Sequence, residues 1–256
     1  MWYCILGIGY CPPERSVRNG RGYWENILIL NFYFLLFNSS APLSITALTD
    51  ELVFPPVEWA EPDGLLAIGG DLSIPRLELA YRSGIFPWFE DKIPMWWSPD
   101  PRFILYPNEI KVSRSMHTLI KKNAFEFSVN LDFPNVIKSC KSVYREGQLG
   151  TWITPEVERA YIDFHKAGFA HSAEVWQDGE LVGGLYGIRI GKVFFGESMF
   201  NKRSNASKYA FIRYAELLKH EGIRLIDCQV YTSHLESLGA KMIPRSRFVA
   251  DLKGLI

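Results

Sequence analysis

From about residue 44 onward the hydrophobic and polar positions switch between a strand rhythm and a helix rhythm. Phe103 to Tyr106 and Phe125 to Asn130 alternate or run apolar, with aromatic and β-branched residues, and predict strands; Ser113 to about Lys122 between them predicts a helix. Asp132 can cap a further helix through Val143. Thr154-Pro155-Glu156 opens another that ends at Gly168, with Thr154 as N-cap and Pro155 at the first helical position. His171 to Trp176, Leu181 to Arg189 and Lys192 to Met199 read as strands, the first two joined through a turn at Gln177-Asp178-Gly179. A helix over Asn205 to His220, a strand over Leu225 to Val230 and a short helix over Ser233 to Leu238 follow. Antiparallel hairpins with helices packed over them predict an α+β layer fold.

Upstream the rhythm breaks. Between Phe54 and Pro101 the chain is punctuated by Pro55-Pro56, Pro62, Gly64, Gly69-Gly70, Pro75, Gly84, Pro87, Pro94 and Pro99, which forbids long helices except over Pro75 to Ser83. This predicts a small, loop-rich N-terminal domain over 44–101 and a second domain over 102–256. Residues 1–43 differ again: a Gly/Arg/Pro stretch, then an almost wholly apolar run from Ile27 to Phe37, then Asn38-Ser39-Ser40-Ala41-Pro42. That run is too short to span a bilayer, which takes roughly 20 residues. Glu25 just before it, with only Asn26 between, and the long stretch ahead do not fit a secretory leader. The expectation is a dispensable extension, disordered or translated from a misassigned start, with the true start near Leu43.

Composition sharpens this in three ways. Lys plus Arg total 28 and Asp plus Glu total 28, so the molecule as a whole exerts no general pull on nucleic acid or on an anionic membrane. A polyanionic partner therefore needs a local patch. The four cysteines, Cys4, Cys11, Cys140 and Cys228, contain no CxxC pair and indicate neither a zinc site nor a disulfide framework, which suits a reducing compartment. Of eight tryptophans, Trp59, Trp88, Trp96, Trp97 and Trp152 lie in Pro/Gly-rich connecting sequence, where binding platforms are found.

Among candidate chemical groups, Gly183-Gly184, Gly187 and Gly191 lie inside alternating strands and read as bulges and turns rather than a phosphate loop. His165 and His171 have no third ligand at metal spacing. Leu225-Ile226-Asp227-Cys228-Gln229-Val230 is more informative, because an acid and an amide interrupt a buried strand and alternation puts both on one face. Both a satisfied structural pair and a functional site at the strand's edge fit that pattern. Glu197, in Gly196-Glu197-Ser198-Met199-Phe200, has the same character on another strand.

Taken in order, these segments resemble the bacterial leucyl/phenylalanyl-tRNA:protein transferases. The matching stretches are Glu61 to Leu72 (EPDGLLAIGGDL), Gly84 to Phe89 (GIFPWF), Trp96 to Arg102 (WWSPDPR), Ser113-Arg114-Ser115-Met116, Gly150 to Thr154, Gly196 to Phe200, Asn205-Ala206-Ser207-Lys208 and Asp227-Cys228-Gln229. The resemblance runs from about Pro55 to Pro244; residues 1–43 have no counterpart in it. It implies a small N-terminal domain joined to a GNAT-like acyltransferase domain. The implied activity is transfer of Leu, Phe or, less well, Met from aminoacyl-tRNA to the α-amino group of proteins beginning with Lys or Arg. That reaction creates a destabilising N-terminus for degradation, in a cytoplasmic, monomeric enzyme with no membrane partner. The ester is already activated on the tRNA, so the reaction implies no cofactor and no metal.

By the same resemblance Asp227 polarises Gln229, which accepts a hydrogen bond from the incoming amine, while Glu197 sets the electrostatics. Trp88 and Trp152 take the 3′-terminal adenosine, and Leu185, Phe194, Phe211, Tyr214, Leu218 and Ile226 match the aminoacyl pocket. Tyr214 adds a hydroxyl and Phe211 adds bulk relative to the family, which leaves the Leu/Phe/Met ranking open. Arg114, Lys121 and Lys122 form the local basic patch for the tRNA backbone. Two other readings stay in view. An acyl-CoA N-acetyltransferase would cradle a pyrophosphate on glycine amides at a helix start, and the junction Asn201 to Ser207 holds no glycine. A non-catalytic tRNA- or peptide-binding module would have no need of Asp227, Gln229 and Glu197 together.

Overall fold

The computed structural model describes residues 45–143 and 151–256; the extension read over 1–43 lies outside the described residues. The Pro-rich segment carries more regular structure than its sequence predicts. Strands β1 (Thr46–Leu48), β2 (Leu65–Gly69), β3 (Phe86–Pro87) and β4 (Met95–Trp97) form a sheet in the order β1-β2-β4-β3. Each is two to five residues long, too short for a period to show, and cross-strand pairs such as Leu65 with Trp97 hold them. Helix α1 (Ile74–Arg82) lies where the sequence allows one, with Pro75 in its first turn and Leu77, Ala80 and Tyr81 buried.

The larger sheet comprises β5 (Arg102–Leu105), β6 (Glu126–Val129), β7 (Ala170–Gln177), β8 (Glu180–Ile190), β9 (Val193–Asn201), β10 (Leu225–Gln229) and β11 (Lys241–Ile243), in the order β11-β5-β10-β9-β8-β7-β6. Helices α2 (Arg114–Lys121), α3 (Phe133–Lys141), α4 (Pro155–Lys166), α5 (Ala206–His220), α6 (Ser233–Ser237) and α7 (Arg245–Lys253) accompany it, so the fold is α+β as predicted. Side chains of Ser113, Asp132 and Thr154 accept first-turn N–H groups of α2, α3 and α4, as expected of N-caps. Asp178 and Gly179 both take the positive φ that a two-residue hairpin turn requires.

Within this larger sheet neighbouring strands are antiparallel except β9 and β10, which run parallel and are joined by α5 as the crossover; in the small sheet β1 and β2 are parallel. Helix α5 covers one face of the sheet, with α3 and α4 on the other. A single buried cluster spans the second face and the small sheet: Leu66, Tyr81 and Trp96 belong to it together with Tyr161, Tyr186 and Phe195. The expected domains over 44–101 and 102–256 thus have separate sheets and share a core. β11 and α7 were not anticipated. They carry the chain back to the small sheet, where Arg245 donates from its backbone N to Asp100 Oδ1 (2.9 Å) and from Nη1 to the Ser98 carbonyl (2.6 Å).

The glycines of β8 serve close approach. A Cβ on Gly183 would stand 2.5 Å from that of Ala206, so the glycine is what lets the start of α5 lie against the strand.

Candidate active site

Strands β9 and β10 stay in register only as far as Phe195 opposite Asp227. Beyond that point β9 continues along β8 to Asn201, whereas β10 ends at Gln229 with a register shift against β5 and a φ of +64°. The three polar residues read from the sequence meet at this fork. Gln229 Nε2 donates to Glu197 Oε1 (2.8 Å), and the Gln229 backbone N–H donates to Asp227 Oδ1 (3.0 Å). An ionised carboxylate can only accept, which fixes the amide with its NH2 toward Glu197 and leaves its carbonyl oxygen as the acceptor end.

One expectation is corrected here. Asp227 does not bond the side-chain amide of Gln229, because its carboxylate is committed to Arg102. Arg102 Nε reaches Oδ1 at 2.8 Å and Nη2 reaches Oδ2 at 2.6 Å, and both residues are buried. The guanidinium lies between two rings, 4.7 Å from the centroid of Phe86 and 4.6 Å from that of Phe248. A bidentate pair of this kind is rigid. Asp227 therefore acts on Gln229 through the backbone, holding the left-handed residue that turns the amide toward Glu197. Arg102, Phe86 and Phe248 gave no chemical signal in the sequence.

Two further residues escaped sequence reasoning. Tyr81 of α1 donates to Glu197 Oε1 (2.8 Å) and Tyr161 of α4 to Oε2 (3.1 Å), while the two hydroxyls stand 2.5 Å apart. Desolvation beneath these groups pushes the Glu197 carboxyl up to about 7; the Asp227 charge adds to the rise, and the hydrogen bonds from Tyr81, Gln229 and Tyr161 oppose it. Burial likewise holds both phenols well above their usual range, so they stay protonated.

The remaining predicted residues fall into three places. Leu185, Phe194, Phe211, Tyr214, Leu218 and Ile226 come together in one buried cluster on the α5 side of the sheet, where Phe194 meets Tyr214 edge-on at 5.1 Å. Trp88 is half-buried against Trp97, whose indole N–H donates to the Trp88 carbonyl. Trp152 is only 7% exposed and stands edge-on to Tyr161. Of the other tryptophans in connecting sequence, Trp59 is exposed, but Trp96 is a core residue bonded to the Gly69 carbonyl rather than a surface platform. Arg114, Lys121 and Lys122 are exposed on α2 and its C-cap, and Arg114 and Lys121, two turns apart, share a helix face. His165 stacks on Phe133 and bonds the Ala170 carbonyl, a structural position. Among the described residues no helix is long and apolar enough to cross a membrane.

A carboxyl able to gain or lose a proton near neutrality, an amide acceptor beside it and an apolar cluster behind the same strands are the parts an acyl group and an attacking amine require. The fold is α+β, and comparison with known proteins makes the chain an acyltransferase. The chain belongs to the leucyl/phenylalanyl-tRNA protein transferase family, as the sequence resemblance implies, and is an aminoacyltransferase. The model of that family matches residues 104–253, and the model of its N-terminal domain matches residues 70–100. The leucyl/phenylalanyl-tRNA–protein transferase of Flavobacterium johnsoniae is 55% identical over 204 residues, covering 79% of this chain and 96% of its own length. That of Syntrophobacter fumaroxidans is 51% identical over 211 residues, covering 82% of this chain and 90% of its own. Among solved structures, a GCN5-related N-acetyltransferase from Kribbella flavida aligns over 66% of this chain and 59% of its own, at 10% identity and a TM-score of 0.33.

Proposed function

We propose that this enzyme transfers Leu, Phe and, less well, Met from aminoacyl-tRNA to the α-amino group of proteins beginning with Lys or Arg, in the cytoplasm, as a monomer, marking those proteins for degradation. The observation that carries the reading is the Gln229–Glu197 contact at the fork of β9 and β10. The amide oxygen is left to accept from an incoming amine, and the acidic surroundings suit a cationic first residue. The aminoacyl side chain enters the apolar cluster behind the fork, and the terminal adenosine stacks on Trp88 and Trp152. Arg114, Lys121 and Lys122 touch the tRNA backbone. Few phosphates are contacted, so binding is modest in strength and weakens with salt.

Chemically the enzyme has to align and to manage one proton. The ester arrives activated; the amine nitrogen bonds to its carbonyl carbon, and the bond from that carbon to the ribose oxygen breaks. Alignment of bound reactants is worth effective molarities of roughly 10⁵ M or more. Gln229 supplies it as an orienter, since an amide is too weak a base to take a proton outright. The test is transfer from purified leucyl-, phenylalanyl- and methionyl-tRNA to peptides that differ only in their first residue, with acetyl-CoA as a competing donor. Product is expected with Lys- and Arg-started peptides alone, with Met the poorest of the three donors. Transfer regardless of the first residue, or acetylation instead, overturns the reading.

A further inference from the structure

Tyr81, Tyr161 and the Glu197 carboxyl make three oxygen–oxygen contacts: 2.5 Å between the hydroxyls, 2.8 Å from Tyr81 to Oε1 and 3.1 Å from Tyr161 to Oε2. Both phenols keep their protons, so with Glu197 ionised the three contacts share two protons. Whichever way the hydroxyls turn, one contact lacks a hydrogen. A proton on the carboxyl supplies the third and closes the cycle, carboxyl to hydroxyl to hydroxyl to carboxyl, while Gln229 Nε2 still donates to Oε1. Both Asp227 oxygens are taken up by the Arg102 guanidinium. Among the described residues Glu197 has no ion-pair partner; the groups facing it are Tyr81 of α1, Tyr161 of α4, and Gln229 and Asp227 of β10, with Tyr186 of β8 packed edge-on behind Tyr161.

We infer that Glu197, Tyr81 and Tyr161 act as one proton-sharing unit that accepts the proton shed by the attacking amine, with the two tyrosines as positioning residues. This rests on the transfer reading above. The nitrogen enters as a neutral amine, its ammonium proton already given to solvent; it forms its bond to the carbonyl carbon and gives its next proton to the carboxylate, taking the unit from two protons to three. The ester C–O bond breaks with its electron pair on the ribose oxygen, and the third proton passes to that oxygen, which restores the ionised carboxylate. Raised by its surroundings to about 7, the Glu197 carboxyl is matched to a step that both takes and returns a proton near neutrality.

The test follows single-turnover transfer from leucyl-tRNA, at saturating peptide, from pH 5.5 to 9. It uses the full chain and two Arg-started peptides whose α-amino groups differ in basicity. The rate should rise with pH through two limbs, one belonging to the peptide's own amine and one near 7 that does not move when the peptide is exchanged; the second is the limb at issue. Tyr81→Phe and Tyr161→Phe each remove a hydrogen bond that favours the ionised carboxylate, so each should move the limb upward by about one unit. Glu197→Gln should abolish it. A peptide-dependent limb alone, with none fixed near 7, overturns the proposal, as do Phe variants that are slower at every pH with the limb unmoved. Near-UV circular dichroism checks folding, and if a Phe variant unfolds, the peptide exchange and Glu197→Gln decide. Absence of transfer by the wild-type chain would sink the functional reading itself; transfer with no limb other than the peptide's own sinks only this one.

Discussion

The two faces of the large sheet are built from the same strands and differ in kind. β10 points Ile226 and Cys228 into the cluster under α5, while Asp227 and Gln229 meet Arg102 and Glu197 on the other side. β9 does the same, with Phe194 in the α5 cluster and Phe195 packed against Tyr81. One face is packed with apolar and aromatic side chains, Tyr214 among them; the other adds to its core a chain of hydrogen bonds from Arg102 through Asp227 and Gln229 to Glu197 and two tyrosines. The alternation of a strand thus separates the surface that would recognise an acyl side chain from the groups that would act on its carbonyl, within a single residue step. Selectivity and chemistry can then vary independently.

The comparison can be broken in graded ways. Asp227→Ala should be the most severe, since it leaves the buried Arg102 charge without its partner. A stability loss of about 3–5 kcal/mol is expected, measured by urea denaturation, and near-wild-type stability would mean that the pair does not clamp the polar face. Gln229→Ala should leave denaturation almost unchanged and slow transfer of Leu and Phe alike by about 10²-fold at saturating tRNA, the usual cost of a misaligned reactant. A change in the Leu/Phe ratio in this variant would blur the two faces. Ile226→Val, on the opposite side of the same strand, should do the reverse. It should cost about 0.5–1.5 kcal/mol of stability and alter the Leu-to-Phe preference by about tenfold, with the rate for the better donor preserved. Equal slowing of both donors would show that Ile226 supports the catalytic face instead.

Much of this was legible in the chain. The caps at Asp132 and Thr154 and the Asp178-Gly179 turn are local devices whose chemistry lies within a few residues, and they folded as read; the helix placed from Ser113 also forms, with Ser113 as a cap the reading had not named. Gln229 and Glu197 announced themselves because a polar group in an apolar strand demands a partner. Tyr81 and Tyr161 gave no such warning. Each occupies a buried position on an amphipathic helix, where a tyrosine reads as core, and only the meeting of α1 and α4 over β9 turns their hydroxyls to one carboxyl. Arg102 was hidden for the opposite reason, since an arginine after a Pro-rich turn reads as surface until the rings of Phe86 and Phe248 close over it. The two-to-five-residue strands of the small sheet lay below the length at which a period can be seen.

The Arg102–Asp227 pair joins residues 125 positions apart, and Phe248 closes over it from later still. During vectorial synthesis Arg102 leaves the ribosome long before either partner exists. β5 then waits at the margin of an unfinished sheet until β10 and β11 arrive on its two sides. Such non-local closure is the slow kind of folding step. A chain truncated anywhere before β10 can fold hairpins and helices, yet holds neither the acid nor the amide in place. The candidate site is therefore assembled only after β10 has been made, however early its first residue appears.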